Sequence, residues 1–207
     1  MANKNPEAYD EALAALAAGE AIVYPTETFY ALGVDALSPL ALERLFAIKG
    51  REPGKPVALI AADSAMAFTV AGEVPAQARV LAEAFWPGPL TLVLPARAGI
   101  PAALIGADGG VGVRVSSHPI ARALAAALRR PLTATSANLA GEPPAVELRA
   151  ARRAFADKVK VFVEGGTLAG GAPSTVVAVD RAGMRVLRPG AVSEHQLAAT
   201  LKANASS

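Results

Sequence analysis

Four short segments of the sequence combine hydroxyl, amide and cationic side chains at points where apolar runs end. They are residues 24–28 (YPTET), 49–55 (KGREPGK), 135–138 (TSAN) and 173–175 (PST). Phosphoryl-transfer chemistry depends on positioned donors and positive charge more than on a reactive nucleophile of the protein. These residue types therefore indicate a nucleotide site that is built without a Walker motif.

The segment of residues 49–55 is the most basic of the four. Lys49, Arg51 and Lys55 offer compact charges and a bidentate fork, which suit a polyphosphate. The segment is not a P-loop, because its glycines are separated by three residues instead of four and Pro56 stands where the Ser or Thr ligand of Mg²⁺ would be. A solvated turn is the alternative interpretation.

The other polar residues at the ends of strands also allow two interpretations each. Thr26 follows a buried strand, where its hydroxyl either binds a small polar substrate or bonds the local backbone. Ser136 and Asn138 follow another strand, where they either donate to phosphate and ribose oxygens or cap a helix. Arg114 and Arg188 are either ligands of a carboxylate or phosphate, or rim charges.

The composition excludes several classes of protein. The chain has 207 residues, no cysteine, 53% hydrophobic residues and a net charge of +2. The lack of cysteine excludes disulfides, thiolate nucleophiles and Cys-based zinc sites, and the low net charge does not support non-specific binding of nucleic acid. We expect both histidines, His118 and His195, to be structural or solvated. No signal peptide and no apolar run of about 18 residues is recognisable, so we expect a cytoplasmic protein without membrane contact.

Helices and strands alternate along the chain without segregation. This pattern predicts an α/β fold in a single layered domain, with a sheet that is partly parallel and partly antiparallel. We expect one domain over residues 1–207, with its core at about 7–203, a mobile loop at 96–110 and a frayed tail after Lys202. The predicted helices begin at Pro6, capped by Asn5, and at Pro39, capped by Ser38, and others cover residues 63–70, 75–85, 120–128, 147–156 and 193 onward. The predicted strands cover residues 21–24, 57–61, 90–94, 111–115, 132–135 and 159–163, with a hairpin of 174–179 and 184–187.

Several separate segments, in this order, resemble the signature of the YrdC-like family of threonylcarbamoyl-AMP synthases. The resemblance covers roughly residues 20 to 190, nearly the whole chain, and is more specific than any one motif. The segments are residues 24–33, 49–51, 86–91, 113–115 with 118–119, 136–139, 173–176 and 188–190.

The resemblance implies both a fold and a reaction. The fold is a twisted open α/β sheet flanked by helices, with a concave, positively charged cavity. The reaction converts L-threonine, bicarbonate or CO₂, and ATP into threonylcarbamoyl-AMP and pyrophosphate by adenylyl transfer to N-carboxy-threonine. Mg²⁺ accompanies the phosphates, with no direct protein ligand expected. The product feeds the t⁶A modification of adenosine 37 in tRNA, which separate partner proteins complete.

The resemblance also implies roles for residues of this chain that match the family's motifs. Thr26, Arg114 and Ser174 are expected to bind threonine. Lys49, Arg51 and Ser136 are expected to act in catalysis. The nucleotide and its phosphates are expected to be held by Lys49, Arg51, Lys55, Ser136, Asn138 and Arg188.

The sequence departs from the family pattern at some positions, and rival functions stay open. The departures are Phe29, Ala31, Lys55, Ile60 and Gly110. The chain ends soon after Arg188, which places it with the short, single-domain bacterial type. One rival is a non-catalytic paralogue that binds RNA, including double-stranded RNA or tRNA, in ribosome maturation. Another is a carbamoyl-phosphate-handling domain of the hydrogenase-maturation type, which normally accompanies zinc-finger cysteines.

Overall fold

The computed structural model of the protein describes residues 6–50, 56–139 and 141–205. This part of the chain forms seven α-helices and nine strands. The helices are α1 (Pro6–Ala17), α2 (Pro39–Lys49), α3 (Ser64–Phe68), α4 (Ala76–Phe85), α5 (Pro119–Leu128), α6 (Leu148–Phe155) and α7 (Glu194–Ala205), with a 3-10 turn at Ala102–Leu104. The strands are β1 (Ile22–Pro25), β2 (Tyr30–Gly33), β3 (Ala58–Ala61), β4 (Leu90–Pro95), β5 (Gly110–Val115), β6 (Leu132–Ser136), β7 (Val161–Phe162), β8 (Thr175–Asp180) and β9 (Gly183–Arg188).

The described strands form one mixed sheet in the order β7-β1-β2-β6-β3-β5-β4-β8-β9. Three pairs are parallel, namely β1 with β7, β3 with β5 and β4 with β8, and the other neighbours are antiparallel. The predicted α/β class with a mixed sheet is therefore confirmed. The order brings strands that are distant in the sequence next to each other at the centre, where β6 lies between β2 and β3.

The helix boundaries follow from residues with special backbone or capping properties. The Ser38 hydroxyl accepts a hydrogen bond from the Ala41 amide at the start of α2, as predicted, and Pro39 occupies the first turn. Gly50 ends α2 with a φ of 59°, in the left-handed region that glycine adopts without a Cβ clash. The cap predicted at Asn5 lies outside the described residues.

Apolar side chains on both faces of the sheet form two buried clusters. In the smaller one, Leu16 of α1 and Leu124 of α5 pack against Ile60 of β3. The larger cluster includes Leu81 of α4 and Leu92 of β4. Because fully buried side chains on both faces hold the sheet in place, the polar residues at its strand ends are presented by a rigid support.

One strand of the fold was not predicted, and two expectations about mobility stay predictions. Strand β2 was not predicted, and its four residues are all buried, so it lacks the alternating pattern of a half-buried strand. Helix α7 continues to Ala205, and the fraying of the tail after Lys202 stays a prediction. Residues 96–110 contain the 3-10 turn and bury Ile100 and Leu104, and their mobility stays a prediction. None of the helices in the described ranges has the length and apolarity needed to cross a bilayer.

Candidate functional site

A cavity of about 570 Å³ opens over the centre of the sheet. Side chains alternate between the faces of a strand, so Gly110, Gly112 and Arg114 of β5 share the face that lines it. Ala58 of β3 and Ala134 of β6 lie beside them, and these small residues leave room for a ligand. The other described lining residues are Thr26, Thr28, Phe29, Tyr30, Ala31, Pro56, Val57, Thr91, Val93, Gly106, Asp108, Thr135, Ser136, Pro144, Pro173, Ser174, Val176, Leu187 and Arg188.

Thr26 organises the turn between β1 and β2 at the cavity wall. Its hydroxyl donates to the Phe29 carbonyl oxygen at 2.7 Å. The amides of Thr28 and Phe29 donate to the Thr26 hydroxyl oxygen, each at 3.3 Å. The local backbone interpretation of this residue therefore describes the observed turn. The hydrogen and both lone pairs of the Thr26 hydroxyl are thus engaged within the turn, and the residue shapes this part of the cavity wall.

Arg114 forms an ion pair inside the wall of the cavity. Its Nη1 donates to the Glu27 carboxylate, and the exposed fractions of the two side chains are 7% and 12%. The other Glu27 oxygen accepts from the Ser116 hydroxyl, which itself accepts from the His118 amide at 3.1 Å. This network fixes the guanidinium at the end of β5. The strand β5 ends where the predicted strand of residues 111–115 ends.

Burial lowers the pKa of the Arg114 guanidinium to about 10. The nearby Tyr24 phenol opposes this shift, and the positive charge of Arg188 adds to it. Burial also lowers the pKa of Arg188. Both guanidinium groups remain charged at neutral pH, so the cavity wall carries two cations.

Arg188 is fixed by two oxygen atoms of Ser174 in the cavity wall. Its Nη2 donates to the Ser174 carbonyl oxygen at 2.8 Å and approaches the Ser174 hydroxyl at 3.1 Å. The Ser174 hydroxyl also lies 3.0 Å from the Thr91 hydroxyl. Ser174 therefore links strands β4, β8 and β9 at a point where its remaining hydrogen-bonding capacity faces the cavity.

Ser136 reaches the cavity, while Lys49 and Asn138 lie behind it. The Ser136 hydroxyl donates to the Asn138 side-chain oxygen. Lys49 Nζ donates to the Ser136 carbonyl oxygen at 2.7 Å and to the Asn138 carbonyl oxygen. Neither Lys49 nor Asn138 is among the described lining residues, and Asn138 borders a second, smaller cavity. Lys49 thus holds the loop that presents Ser136.

Five of the nine predicted site residues line the same cavity. The five lining residues are Thr26, Arg114, Ser136, Ser174 and Arg188. Lys49 and Asn138 support the wall, and Arg51 and Lys55 lie outside the described residues. The ligand assigned to each of these residues stays a prediction.

Among the family departures, Phe29, Ala31 and Gly110 line the cavity, whereas Ile60 is buried in the smaller apolar cluster.

Sequence reasoning missed three polar residues at the site. Glu27 stands between two threonines of the first motif, and Thr91 lies in the motif of residues 86–91, so both were within reach of a motif-based choice. Asp108 is the one acidic residue of the described lining, and its carboxylate accepts from the Gly110 amide at 3.2 Å. The charged groups of the described lining are thus Arg114, Arg188 and Asp108, and the positive potential of the cavity stays a prediction.

The described residues offer no group of three His, Cys, Asp or Glu side chains that could hold a metal ion. Tyr30, which lines the cavity, is a poor general acid or base at neutral pH because burial raises its pKa to about 12. The site can therefore bind anions and donate hydrogen bonds. It suits chemistry in which the substrates supply the nucleophile and the leaving group.

Known proteins resemble this chain in sequence and in fold. It is 39% identical to the threonylcarbamoyl-AMP synthase of Vibrio cholerae over 186 residues, which cover 89% of this chain and 98% of that protein. It is 37% identical to the threonylcarbamoyl-AMP synthase of Pyrococcus abyssi over 172 residues, which cover 83% of this chain. The chain spans about half the length of the Pyrococcus abyssi relative, with 51% of it covered.

A solved structure shares the fold. The crystal structure of P. abyssi Sua5 complexed with L-threonine superposes with a TM-score of 0.88 and 34% identity, covering 93% of this chain and 57% of that one. The model of the Sua5/YciO/YrdC family, described as "Telomere recombination", matches residues 14–190. With most of its length matched by that model, the chain belongs to the Sua5/YciO/YrdC family.

Proposed function

We propose that this chain is a threonylcarbamoyl-AMP synthase, which joins L-threonine, bicarbonate and ATP into threonylcarbamoyl-AMP and pyrophosphate. The observation that carries the proposal is the pair of guanidinium groups in one cavity. Arg114 and Arg188 line the same space of about 570 Å³ at different strands of the sheet. The reaction must bring two anionic substrates together, and each needs a fixed cation.

The threonine subsite lies at the end of the cavity formed by Thr26 and Arg114. Arg114 binds the substrate carboxylate, since a fixed guanidinium matches the geometry of a carboxylate. Thr26 lies on the same wall, where we place it beside the amino or hydroxyl group of the substrate. Ser174 also lines the cavity, where its hydroxyl contacts Arg188. The relative from Pyrococcus abyssi was solved with L-threonine, which supports an amino-acid subsite in this family.

The nucleotide subsite uses the remaining cation and the loop after β6. Arg188 and Ser136 line the cavity. The Arg188 guanidinium binds phosphate oxygens, and the Ser136 hydroxyl does so when its hydrogen turns from the Asn138 side-chain oxygen to the ligand. Lys49 and Asn138 keep the Ser136 loop in place through the hydrogen bonds described above. Arg51 and Lys55 belong to the same proposed subsite and lie outside the described residues.

The chemistry requires orientation and charge neutralisation. The threonine amine captures CO₂ to form a carbamate, whose oxygen attacks the α-phosphorus of ATP, and pyrophosphate leaves. A carbamate is already anionic, so no strong general base is needed. The fixed Arg188 guanidinium stabilises the charge that develops on the phosphate oxygens, because its donors are oriented before the reaction.

We propose Mg²⁺ as the accompanying metal ion. The cavity residues offer hydroxyl groups, guanidinium groups and a single carboxylate, Asp108, so they do not form a protein cage for a divalent cation. They do fit a metal that arrives on the triphosphate and keeps its waters, which is the usual mode for Mg²⁺ with nucleotides. When bound, the ion would neutralise phosphate charge.

The product is a labile mixed anhydride, so a second protein must take it up for transfer to tRNA. We propose that the chain works in the cytoplasm and supplies the t⁶A-transfer proteins that modify adenosine 37. A direct contact with tRNA would require a positively charged surface on the protein. Binding of tRNA to such a surface would weaken steeply as the salt concentration increases.

The deciding experiment measures pyrophosphate release by the pure protein with ATP, Mg²⁺, bicarbonate and L-threonine. Release that requires both threonine and bicarbonate, together with the mass of threonylcarbamoyl-AMP, is the expected result. The variant Arg188→Gln should release pyrophosphate at least tenfold more slowly. Its matched control Arg181→Gln, which changes an exposed arginine paired with Glu73, should behave like the native protein. Tight RNA binding without turnover would instead identify a non-catalytic paralogue.

A further inference from the structure

The two guanidinium groups of the cavity differ in their counter-charge. Arg114 donates to the Glu27 carboxylate, so this pair carries no net charge. Arg188 donates only to uncharged oxygens of Ser174 among the described residues. One of the two guanidinium groups is therefore neutralised by the protein itself, and the other keeps its positive charge.

Glu27 does not block the place where a ligand would meet Arg114. It is not among the residues that line the cavity, whereas Arg114 is, so the carboxylate lies behind the guanidinium. A guanidinium group has five N–H donors in a planar fork. The pair with Glu27 uses Nη1, and the other nitrogens retain donors for a ligand.

A neutralised guanidinium distinguishes between a polyphosphate and threonine. A polyphosphate carries several negative charges and is drawn to net positive charge, so the Glu27 carboxylate repels it. Zwitterionic threonine needs mainly two oriented donors for its carboxylate, and it loses less from the nearby negative charge. Discrimination of this kind works by a repulsive element directed at the wrong ligand.

We propose that Glu27 is a specificity-determining residue that keeps polyphosphate out of the threonine subsite. The inference rests on the proposed function, since it assumes that threonine and ATP share this cavity. Glu27 holds the Arg114 guanidinium in place and cancels its charge, so the triphosphate binds at Arg188 and not at Arg114. The Ser116 hydroxyl, itself anchored by the His118 amide, keeps the carboxylate oriented.

The test measures the Kd for L-threonine by calorimetry at constant ionic strength, with and without inorganic pyrophosphate. In the native protein, pyrophosphate should change this Kd by less than about twofold. In Glu27→Gln, which keeps the shape and removes the charge, pyrophosphate at about nine times its own Kd should raise the Kd for threonine by about tenfold, as expected for competition at one subsite. Glu164→Gln is the matched control, because it removes an exposed carboxylate that contacts Tyr30 rather than Arg114. It should behave like the native protein.

A second variant separates charge from orientation. Ser116→Ala removes the other anchor of the Glu27 carboxylate but keeps its charge, so it should weaken threonine binding without admitting pyrophosphate. Pyrophosphate competition in Ser116→Ala, or none in a folded Glu27→Gln protein, overturns the proposal while leaving the synthase reaction intact. A native protein that neither binds threonine nor releases pyrophosphate overturns the proposed function, and the inference with it.

Discussion

Replacing Arg114 by methionine tests how much the ion pair in the cavity wall contributes to the stability of the fold. The substitution leaves the Glu27 carboxylate, 12% exposed, with the Ser116 hydroxyl as its remaining partner among the described side chains. Removing one partner of a buried pair costs about 3–5 kcal/mol, because the other charge stays buried without compensation. The retained Ser116 bond and partial exposure favour the lower end, so we expect the free energy of unfolding to fall by about 3 kcal/mol.

A double-mutant cycle measured by urea denaturation isolates the cause of this loss. Adding Glu27→Gln to Arg114→Met removes the isolated charge, so the double variant should recover about 2 kcal/mol relative to Arg114→Met. The control Arg181→Met, at an exposed pair with Glu73, should change stability little. Strictly additive effects of the two substitutions would refute the reasoning, since they would mean that Glu27 and Arg114 do not depend on each other.

The same cycle separates stability from ligand binding. The double variant regains stability but still lacks the guanidinium that binds the threonine carboxylate. We therefore expect its KM for threonine to remain raised at least tenfold, while its KM for ATP changes much less. Recovery of threonine affinity together with stability would contradict the carboxylate assignment of Arg114.

Three further predictions follow from individual contacts, each checked by urea denaturation. Ser38→Ala should lower the free energy of unfolding by about 1 kcal/mol, because it removes the side-chain cap of α2. Tyr24→Phe should cost about 1–2 kcal/mol, because it leaves the buried Thr133 carbonyl oxygen without the phenol donor at 2.9 Å. Burial lowers the pKa of His118 from 6.5, so as pH falls the unfolded chain protonates this imidazole before the folded protein does. The free energy of unfolding should therefore decrease as pH drops below 6.5. The variant His118→Gln should lack this part of the pH dependence.

Local sequence signals predicted the helices well and failed at one central strand. Ser38 begins α2 as expected, since capping depends on residues next to each other in the chain. Strand β2 has no comparable local signal. It is defined by pairing with β1 on one side and β6 on the other, for example Ala31 with Ser136. A register of that kind joins residues far apart in sequence, so a local pattern could not reveal it.

The candidate site was predicted through its motifs, and the structure adds how they meet. Arg114 and Ser174 were chosen from separate segments, and the central strands bring them to one cavity. Glu27 was missed because a carboxylate beside two threonines has no local feature that names its partner. The ion pair depends on where the turn after β1 lies relative to the end of β5. Only the assembled sheet determines that distance.

Lys49 shows why a loss of activity alone does not identify a phosphate ligand. Its ammonium group binds the carbonyl oxygens of Ser136 and Asn138, and Ser136 in turn faces the cavity. A substitution at Lys49 would therefore displace Ser136 whether or not the ammonium group touches the nucleotide. A direct phosphate contact predicts a larger loss of affinity for ATP than for AMP. A purely supporting role predicts equal losses of affinity for ATP and AMP. The displacement of Ser136 costs the same binding energy whatever number of phosphates other groups bind. The comparison of ATP with AMP therefore decides between the two roles, and the total loss does not.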